Sequence, residues 1–177
     1  MSLINVKYEL AHNEMRALMP EVPKELRDIT PEDVKPYGIF IPHIPLLYPP
    51  HADEDKWTVM TEGWFVACDG TVVHFQVGDK TDLASIGRIV KLLFRFPGRE
   101  TPAAVGHDEG YSQAGKKRYN IFEKVLWLPP QSWWDEKVFK NGMLLCKTSR
   151  IKVCVYYRAL RMFGWIAWNH YRRKAKM

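Results

Sequence analysis

The stretch His107-Asp108-Glu109-Gly110-Tyr111 contains a histidine, an aspartate and a tyrosine whose side chains can transfer protons or bind metal. The surrounding pattern predicts a helix, on which His107 and Tyr111 share one face because they are four residues apart. The side chain of Asp108 then points about 100° away from that of His107. A histidine can act as a general base when a carboxylate holds one ring nitrogen and leaves the other free to accept a proton. The stretch therefore indicates a candidate catalytic site built on His107, Asp108 and Tyr111.

Residues 78–85 join the last predicted strand to the next predicted helix, a place where loop side chains can converge on a site. Asp82 is the candidate orienting partner of His107. Alternatively, Asp82 and Asp108 could supply oxygen ligands to a divalent cation, and no other cofactor is indicated. Ser85 is available as a nucleophile, but a serine at this position is typical of a helix cap. The same residues could also form only a buried polar network, in which Asp82 caps the helix and His107 bonds to the loop.

A small sheet followed by helices would position these residues. The β-prone runs between residues 57 and 77 are separated by Glu62-Gly63 and Asp69-Gly70, and Asp-Gly between such runs is a hairpin signal. Apolar spacings of three and four residues, together with proline and cap positions, predict the helices that follow. They are expected from Ser85 to Pro97 and at residues 101–111, 117–127, 131–139 and 148–171. This order predicts an α+β fold in which about four to five helices cover a small antiparallel β-sheet.

Prolines interrupt every apolar run in residues 1–55, which excludes long helices and central strands there. We therefore expect residues 1–55 to form an extended proline-rich arm and residues 56–177 to form a single α+β domain. A short helix is expected near residues 31–34, because Thr30 is a good N-cap. Residues 37–48 are expected to lie extended against a neighbouring surface, either the chain's own or a partner's.

Positive charge is concentrated at the C-terminal end of the chain. Nine of the 26 basic residues follow Cys146 with no acidic residue among them, which leaves 17 basic residues against 20 acidic ones elsewhere. The last predicted helix is apolar around most of its circumference, as expected of a helix central to the domain or covered by another chain. Its terminal cluster Arg172, Arg173 and Lys174 could bind nucleic acid or anionic lipid, or simply complement the helix C-terminus. No recognised DNA-binding motif accompanies the cluster, so nucleic acid is not an expected partner.

The three cysteines, Cys68, Cys146 and Cys154, have no CxxC spacing and no histidines at zinc-finger intervals. Neither a disulfide framework nor a zinc site is indicated, and a reducing cytoplasm fits this usage. The N-terminal residues lack the continuous apolar run of a signal peptide. No window reaches the roughly 18 uninterrupted apolar residues of a membrane span, so no transmembrane segment is expected.

The two polar motifs resemble those of a family of small phage and prophage proteins, which carries the domain-of-unknown-function label thirteen fifty-three. Family members have a loop close to Gly-Phe-Thr-Asp-Leu-Ala-Ser-Ile-Pro and then a helix close to His-Asp-x-Leu-Tyr. This chain has Thr81-Asp82-Leu83-Ala84-Ser85-Ile86, then His107-Asp108 with Tyr111, at the same order and spacing. The resemblance spans about residues 57–168 and includes the region of Phe163-Gly164-Trp165. It makes Thr81, Ser85 and Asn120 candidate binding residues.

The chain departs from the family pattern at three positions. Gly87 replaces a usual proline, Gly110 a bulky apolar residue, and Asn120 a position where a helical aspartate often occurs. Asn120 can form hydrogen bonds but supplies no charge. A site that needs a charge at this position would therefore be inactive.

The resemblance implies a role in a bacteriophage. The first hypothesis is a structural or assembly protein of the virion, at the tail or tail tip, bound to other phage virion proteins in a multi-subunit assembly. It would reside in the host cytoplasm during assembly, and its arm, Ser132-Trp133-Trp134 and basic helix would contact neighbours. The second hypothesis is a small hydrolase acting at the cell envelope. His107 would then be the general base, and Asp82 or Asp108 would orient it or bind a metal.

Overall fold

The computed structural model describes residues 24–44, 47–48, 57–81, 99–113 and 115–174. The strands are β1 (Ile39–Ile41), β2 (Leu47–Tyr48), β3 (Trp57–Val59), β4 (Gly63–Val66), β5 (Val72–Phe75), β6 (Lys80–Thr81), β7 (Arg118–Asn120) and β8 (Val125–Trp127). The helices are α1 (Lys24–Arg27), α2 (Thr101–Ser112), α3 (Gln131–Trp133), a π-helix (Trp134–Lys140), α4 (Asn141–Leu145) and α5 (Arg150–Lys174). The protein is thus a mixed α and β structure with small antiparallel sheets.

The sheets are short and entirely antiparallel over the described part of the chain. One has the order β1-β4-β5, a second β2-β3-β6, and β7 and β8 form a hairpin. The predicted turn at Asp69-Gly70 does connect β4 to β5, in which Phe65 lies opposite Val73. Gly70 has a φ of 87°, and a Cβ there would overlap the ring of Phe122. Only glycine fits this turn, which explains the strength of the hairpin signal.

The main core lies between the first sheet and the long helices. Phe40, Phe65 and Phe75 of the sheet share one buried cluster with residues of α2, the π-helix and α5. Small residues let α2 approach its neighbours closely, and a Cβ at Gly106 would lie 3.0 Å from Val138. A Cβ at Gly110 would overlap the indole of Trp134. The glycine that departs from the family pattern at this position is therefore matched by the tryptophan packed against it.

Most of the predicted helices that fall on described residues are present. The helix expected at 101–111 is α2, and the one at 148–171 is α5. The helix expected at 131–139 is α3 and the π-helix, which continue into α4. The helix expected after Ser85 lies outside the described residues. The count of four to five helices on one sheet is not confirmed.

The helix predicted over residues 117–127 is wrong, because this segment is the β7–β8 hairpin. The side chain of Asn120 accepts hydrogen bonds from the backbone N–H of Phe122 at 2.9 Å and of Glu123 at 3.0 Å, which turns the chain. Lys124 then takes a φ of 53°, a left-handed conformation that a helix cannot contain. Local side-chain bonding therefore overrides the apolar spacing that suggested a helix.

The N-terminal segment is packed on the fold where the structure describes it. β1 pairs with β4, and Leu26 and Val34 are buried with Val66. An extended arm is therefore not confirmed for residues 24–44, although β1 and β2 are extended as expected for residues 37–48. Residues 31–37 form turns instead of a helix, and Thr30 donates to Asp33 from both its backbone N–H and its hydroxyl. The prolines exclude long helices here without separating the segment from the core.

Candidate functional site

A buried carboxylate, that of Asp135 in the π-helix, joins side chains from three other elements. Its Oδ1 lies 2.9 Å from Nε2 of His107 and accepts a hydrogen bond from the hydroxyl of Tyr111 at 2.8 Å. Its Oδ2 accepts from Nη1 of Arg161 at 3.2 Å and from Nε2 of Gln131 at 3.5 Å. The side chains of His107 and Asp135 are both completely buried. Such a charge is tolerable in the interior only because both of its oxygens have donors.

The helices place these groups through simple spacing. His107 and Tyr111 lie four residues apart on α2, and their ring centroids are 4.1 Å apart. The rings of Tyr111 and of Trp168 on α5 form a T-shaped pair with centroids 5.2 Å apart, and the ring centroid of Phe139 lies 5.3 Å from that of His107. Asp135 lies in a π-helical segment, a backbone form that is rare and often found at functional sites. The result is a polar centre enclosed by aromatic rings.

The hydrogen bond to Asp135 decides which ring nitrogen of a neutral His107 carries the proton. Because an ionised carboxylate only accepts hydrogen bonds, Nε2 must carry the proton and Nδ1 of a neutral ring is the acceptor. Among the described residues, Nδ1 of His107 is buried and has no hydrogen-bond partner. The ring is therefore oriented as a general base would be, but solvent does not reach it in this conformation.

Tyr111 serves the centre as a hydrogen-bond donor. Burial raises the pKa of its phenol far above the ordinary value, and the negative charge of Asp135 raises that pKa further. The phenol therefore stays protonated at any physiological pH. This excludes a role for Tyr111 as a phenolate base and leaves it the role of holding Asp135.

The neighbouring carboxylates of α2 belong to different contacts. Asp108 accepts a short hydrogen bond from the hydroxyl of Thr81, which ties β6 to α2. Glu109 accepts from the side-chain amide of Gln113 and lies 4.0 Å from the guanidinium of Arg118. Burial raises the pKa of Glu109 to about 7, with a further contribution from the charge of Asp79. Glu109 is thus a group that changes charge near neutral pH.

The other predicted site residues fall into different places. Asp82 and Ser85 lie outside the described residues, so the predicted contact of Asp82 with His107 stays a prediction. Thr81 bonds to Asp108, as described above. Within the part of the chain that the structure describes, no three His, Cys, Asp or Glu side chains are grouped so that they could hold a metal ion. The proposed cation ligands Asp82 and Asp108 therefore stay a prediction as a pair.

Asn120 does not stand in the place of a helical aspartate. It lies on β7, and its side-chain amide donates to the carbonyl of Asp69 at 2.7 Å. The carboxylate that does contact His107 is that of Asp135, which lies in the π-helix. Asp135 and Arg161 were not predicted, although an acidic residue directly after Trp133-Trp134 was a usable signal.

Two further expectations concern the surface of the molecule. Trp133 and Trp134, expected to contact neighbours, are buried in the core. Arg172 and Arg173 are exposed near the end of α5, and Lys174 is its last residue. In the described residues, no helix combines the length and hydropathy needed to cross a membrane.

These features define a small mixed α and β domain organised around a buried histidine–aspartate centre. The model of a family described as a protein of unknown function, DUF1353, matches residues 57–160, which is more than half of the chain. The chain belongs to this family, as the two motifs indicated. The matched range includes His107, Tyr111 and Asp135 and ends one residue before Arg161. No curated protein and no solved structure shows significant similarity to the chain.

Proposed function

We propose that this chain is a structural or assembly protein of a bacteriophage particle, located at the tail or tail tip and bound to neighbouring subunits. The observation that supports this proposal is the distribution of exposed apolar side chains over separate elements. They comprise Ile44, Met60 and Val77 beside the sheets, Val125 and Leu128 at the β7–β8 hairpin, and Ile151, Val155, Met162, Phe163, Trp165 and Ile166 on α5.

This distribution is what a subunit with several neighbours needs. Single exposed apolar residues are normal on a monomer, whereas a contiguous group marks an interaction surface. On α5, Met162, Trp165 and Ile166 are each more than half exposed and lie within five residues of each other. A surface of this kind is stable in water only when something covers it for much of the protein's life.

The buried centre supports the same proposal. His107 and Asp135 have no exposed side-chain surface, and Asp135 is held by donors from α2, α3 and α5. A buried carboxylate whose two oxygens are both bonded by side chains of other helices holds those helices in one arrangement. The centre would thus act as an internal connection that keeps the outer surfaces in their correct relative positions.

Analysis of purified particles tests the proposal. Virions of a phage that encodes this chain should contain it at a fixed copy number after density-gradient purification, measured by quantitative mass spectrometry. A phage whose copy of the gene carries an early stop codon should produce particles that are incomplete or not infectious. Complete, infectious particles that lack the chain would contradict the proposal.

A hydrolase acting at the cell envelope is the second candidate, and the geometry of His107 favours it. Asp135 holds Nε2 and leaves Nδ1 as an acceptor without a partner among the described residues. In this function Asp135, rather than Asp82, orients the base. His107→Gln and Asp135→Asn should then abolish envelope degradation by the purified chain, while Asp28→Asn at an exposed position should not. Full degradation by a folded His107→Gln variant would remove this candidate.

A further inference from the structure

The long helix α5 has two faces with opposite surroundings. Its inward face places Val153, Tyr156, Leu160, Gly164 and Trp168 against the core, all of them buried. At about 100° per residue, Ile151, Val155, Met162, Trp165 and Ile166 lie on the opposite face. Ile151 is 77% exposed, and Met162, Trp165 and Ile166 are between 55% and 59% exposed. The helix is therefore anchored by one face and presents an apolar strip, hereafter the outward face, on the other.

The charges on α5 are of one sign. Its 25 residues include seven basic residues and no acidic one. Lys152 and Arg161 are neutralised by the buried carboxylates of Glu100 and Asp135. Arg158 and Arg173 are exposed, have no acidic partner among the described residues, and lie on the side of the outward face. The outward face thus combines apolar side chains with positive charge that the described part of the fold does not neutralise.

A groove adjoins the outward face near the start of α5. It encloses about 370 Å³ and is lined by Lys140, Arg150 and Arg158, together with Leu144, Val153, Cys154 and two tyrosines, Tyr37 and Tyr157. The ammonium group of Lys140 lies 5.1 Å from the centre of the Tyr157 ring, which holds the lysine beside the groove. Three cations line the groove and no acid does. This combination suits a phosphate group attached to an apolar body.

We infer that the outward face of α5 and its groove form a docking surface for a membrane that contains anionic phospholipid. Met162, Trp165 and Ile166 enter the boundary between headgroups and acyl chains, and Arg150, Arg158 and Lys140 bind lipid phosphates. An amphipathic helix with tryptophan and isoleucine on one side and arginines beside them lies in the plane of such an interface. This surface assigns the outward face to a lipid partner and leaves the exposed apolar side chains beside the sheets and at the β7–β8 hairpin to the protein neighbours of the proposed function.

Other occupants match only part of this surface. A second copy that docked through its own outward face would place two helices with basic and no acidic residues side by side. Repulsion between their like charges opposes this contact. A nucleic acid would neutralise the arginines but would leave Met162 and Ile166 exposed to water. An anionic lipid surface satisfies both properties, because it offers negative charge at the headgroups and apolar surface directly beneath them.

Vesicle sedimentation with the full chain tests the inference. We expect the chain to sediment with vesicles of phosphatidylcholine and phosphatidylglycerol and to remain in solution with vesicles of phosphatidylcholine alone. Added salt should weaken the binding because it screens the arginines. Failure to bind the anionic vesicles, or equal binding to both kinds, would overturn the inference.

Matched variants separate the apolar from the electrostatic contribution. Met162→Ser with Ile166→Ser should weaken binding to anionic vesicles by about tenfold or more, because two large apolar side chains no longer enter the interface. Met60→Ser with Ile44→Ser, at residues of the same types and comparable exposure elsewhere, should leave binding unchanged. Arg158→Gln should weaken it about fivefold, since each basic residue near an anionic surface contributes on this order. Arg27→Gln, the same change on α1, should not.

Two measurements identify the other occupants if the lipid is not the partner. A change in oligomeric state on Met162→Ser with Ile166→Ser, measured by analytical ultracentrifugation, would assign the outward face to a second copy and overturn the inference. Binding of the chain to a DNA duplex would also overturn it, if Arg158→Gln weakens DNA binding as much as vesicle binding and Met162→Ser with Ile166→Ser leaves DNA binding unchanged. If the variants that no longer bind vesicles are still incorporated into virions at the normal copy number, the proposed structural role is independent of lipid binding.

Discussion

At the scale of single residues, Asp135 is the group on which the buried centre depends. Four side chains donate to its two oxygens, and it lies entirely out of solvent. The sequence pointed to His107 and Tyr111 and offered Asp82 or Asp108 as the group that orients His107, whereas the structure places the carboxylate of Asp135 against its ring. The partner could not be predicted from spacing, because Asp135 is 28 residues from His107 and is brought close only by helix packing.

Replacement of Asp135 by asparagine should destabilise the protein by about 2–4 kcal/mol. The change removes the negative charge that pairs with Arg161, and it replaces one of the two oxygens that accept hydrogen bonds. Asparagine retains the size of the side chain but presents an N–H₂ group to Arg161 or to His107 and Tyr111. The free energy of unfolding from urea titration measures the effect. Asp28→Asn at an exposed position is the control and should change stability by less than about 0.5 kcal/mol. A loss no larger than the control's would show that the centre contributes nothing to stability.

Glu109 gives the stability a pH dependence near neutrality. Its folded pKa of about 7 is above the ordinary 4.5, so folding favours the protonated form. The contribution of protonated Glu109 to the free energy of unfolding is fully present below pH 4.5 and is lost as the pH rises through about 7. Across this pH range, we expect the free energy of unfolding of the wild type to fall by on the order of 3 kcal/mol relative to that of Glu109→Gln. Urea titrations of both proteins from pH 4 to pH 8 measure the difference, and a constant difference would contradict the shifted pKa.

At the scale of elements, the β7–β8 hairpin shows how one side chain decides between helix and strand. Apolar residues in this segment recur at spacings compatible with a helix, and the sequence therefore suggested one. Asn120 instead caps the turn and bonds to the carbonyl of Asp69 at the end of another hairpin. The helices α2 and α5 were predictable because their signals, proline at the first turn and a long run without breakers, are local.

Asn120→Asp tests whether this position lacks a charge or performs a structural role. The aspartate keeps the acceptor for the turn but cannot donate to the carbonyl of Asp69, and it brings a negative charge to that carbonyl. We expect a loss of about 1–3 kcal/mol in unfolding free energy. The control Asn169→Asp, at an exposed position of α5, should be close to neutral. A gain in stability from Asn120→Asp would show that the position does require a charge.

At the scale of the whole molecule, the orientation of α5 determines which surfaces the protein offers. Its composition is apolar on nearly every side, and the sequence left open whether it is central or covered by another chain. The structure shows that one face packs on the core while Cys154 and several large apolar residues are exposed on the other.

Cysteine labelling measures this orientation directly. Cys154 is exposed, whereas Cys146 is buried and its burial raises the pKa of its thiol to about 11. Iodoacetamide should therefore modify Cys154 much faster than Cys146 in the native protein, as followed by peptide mass spectrometry. In concentrated urea the two should react at similar rates, which provides the control. Native labelling of Cys154 as slow as that of Cys146 would mean that this side of α5 is buried.

The sequence by itself determined the family, the hairpin at Asp69-Gly70, the helices α2 and α5 and the shared face of His107 and Tyr111. These features rest on contacts between residues near one another in the chain, so local patterns carry them. Only the tertiary structure decided that residues 24–44 pack on the sheet, that Trp134 fills the space at Gly110 and that Asp135 bonds to His107. Each of these contacts joins elements far apart in sequence, and their pairing depends on which apolar faces bury one another.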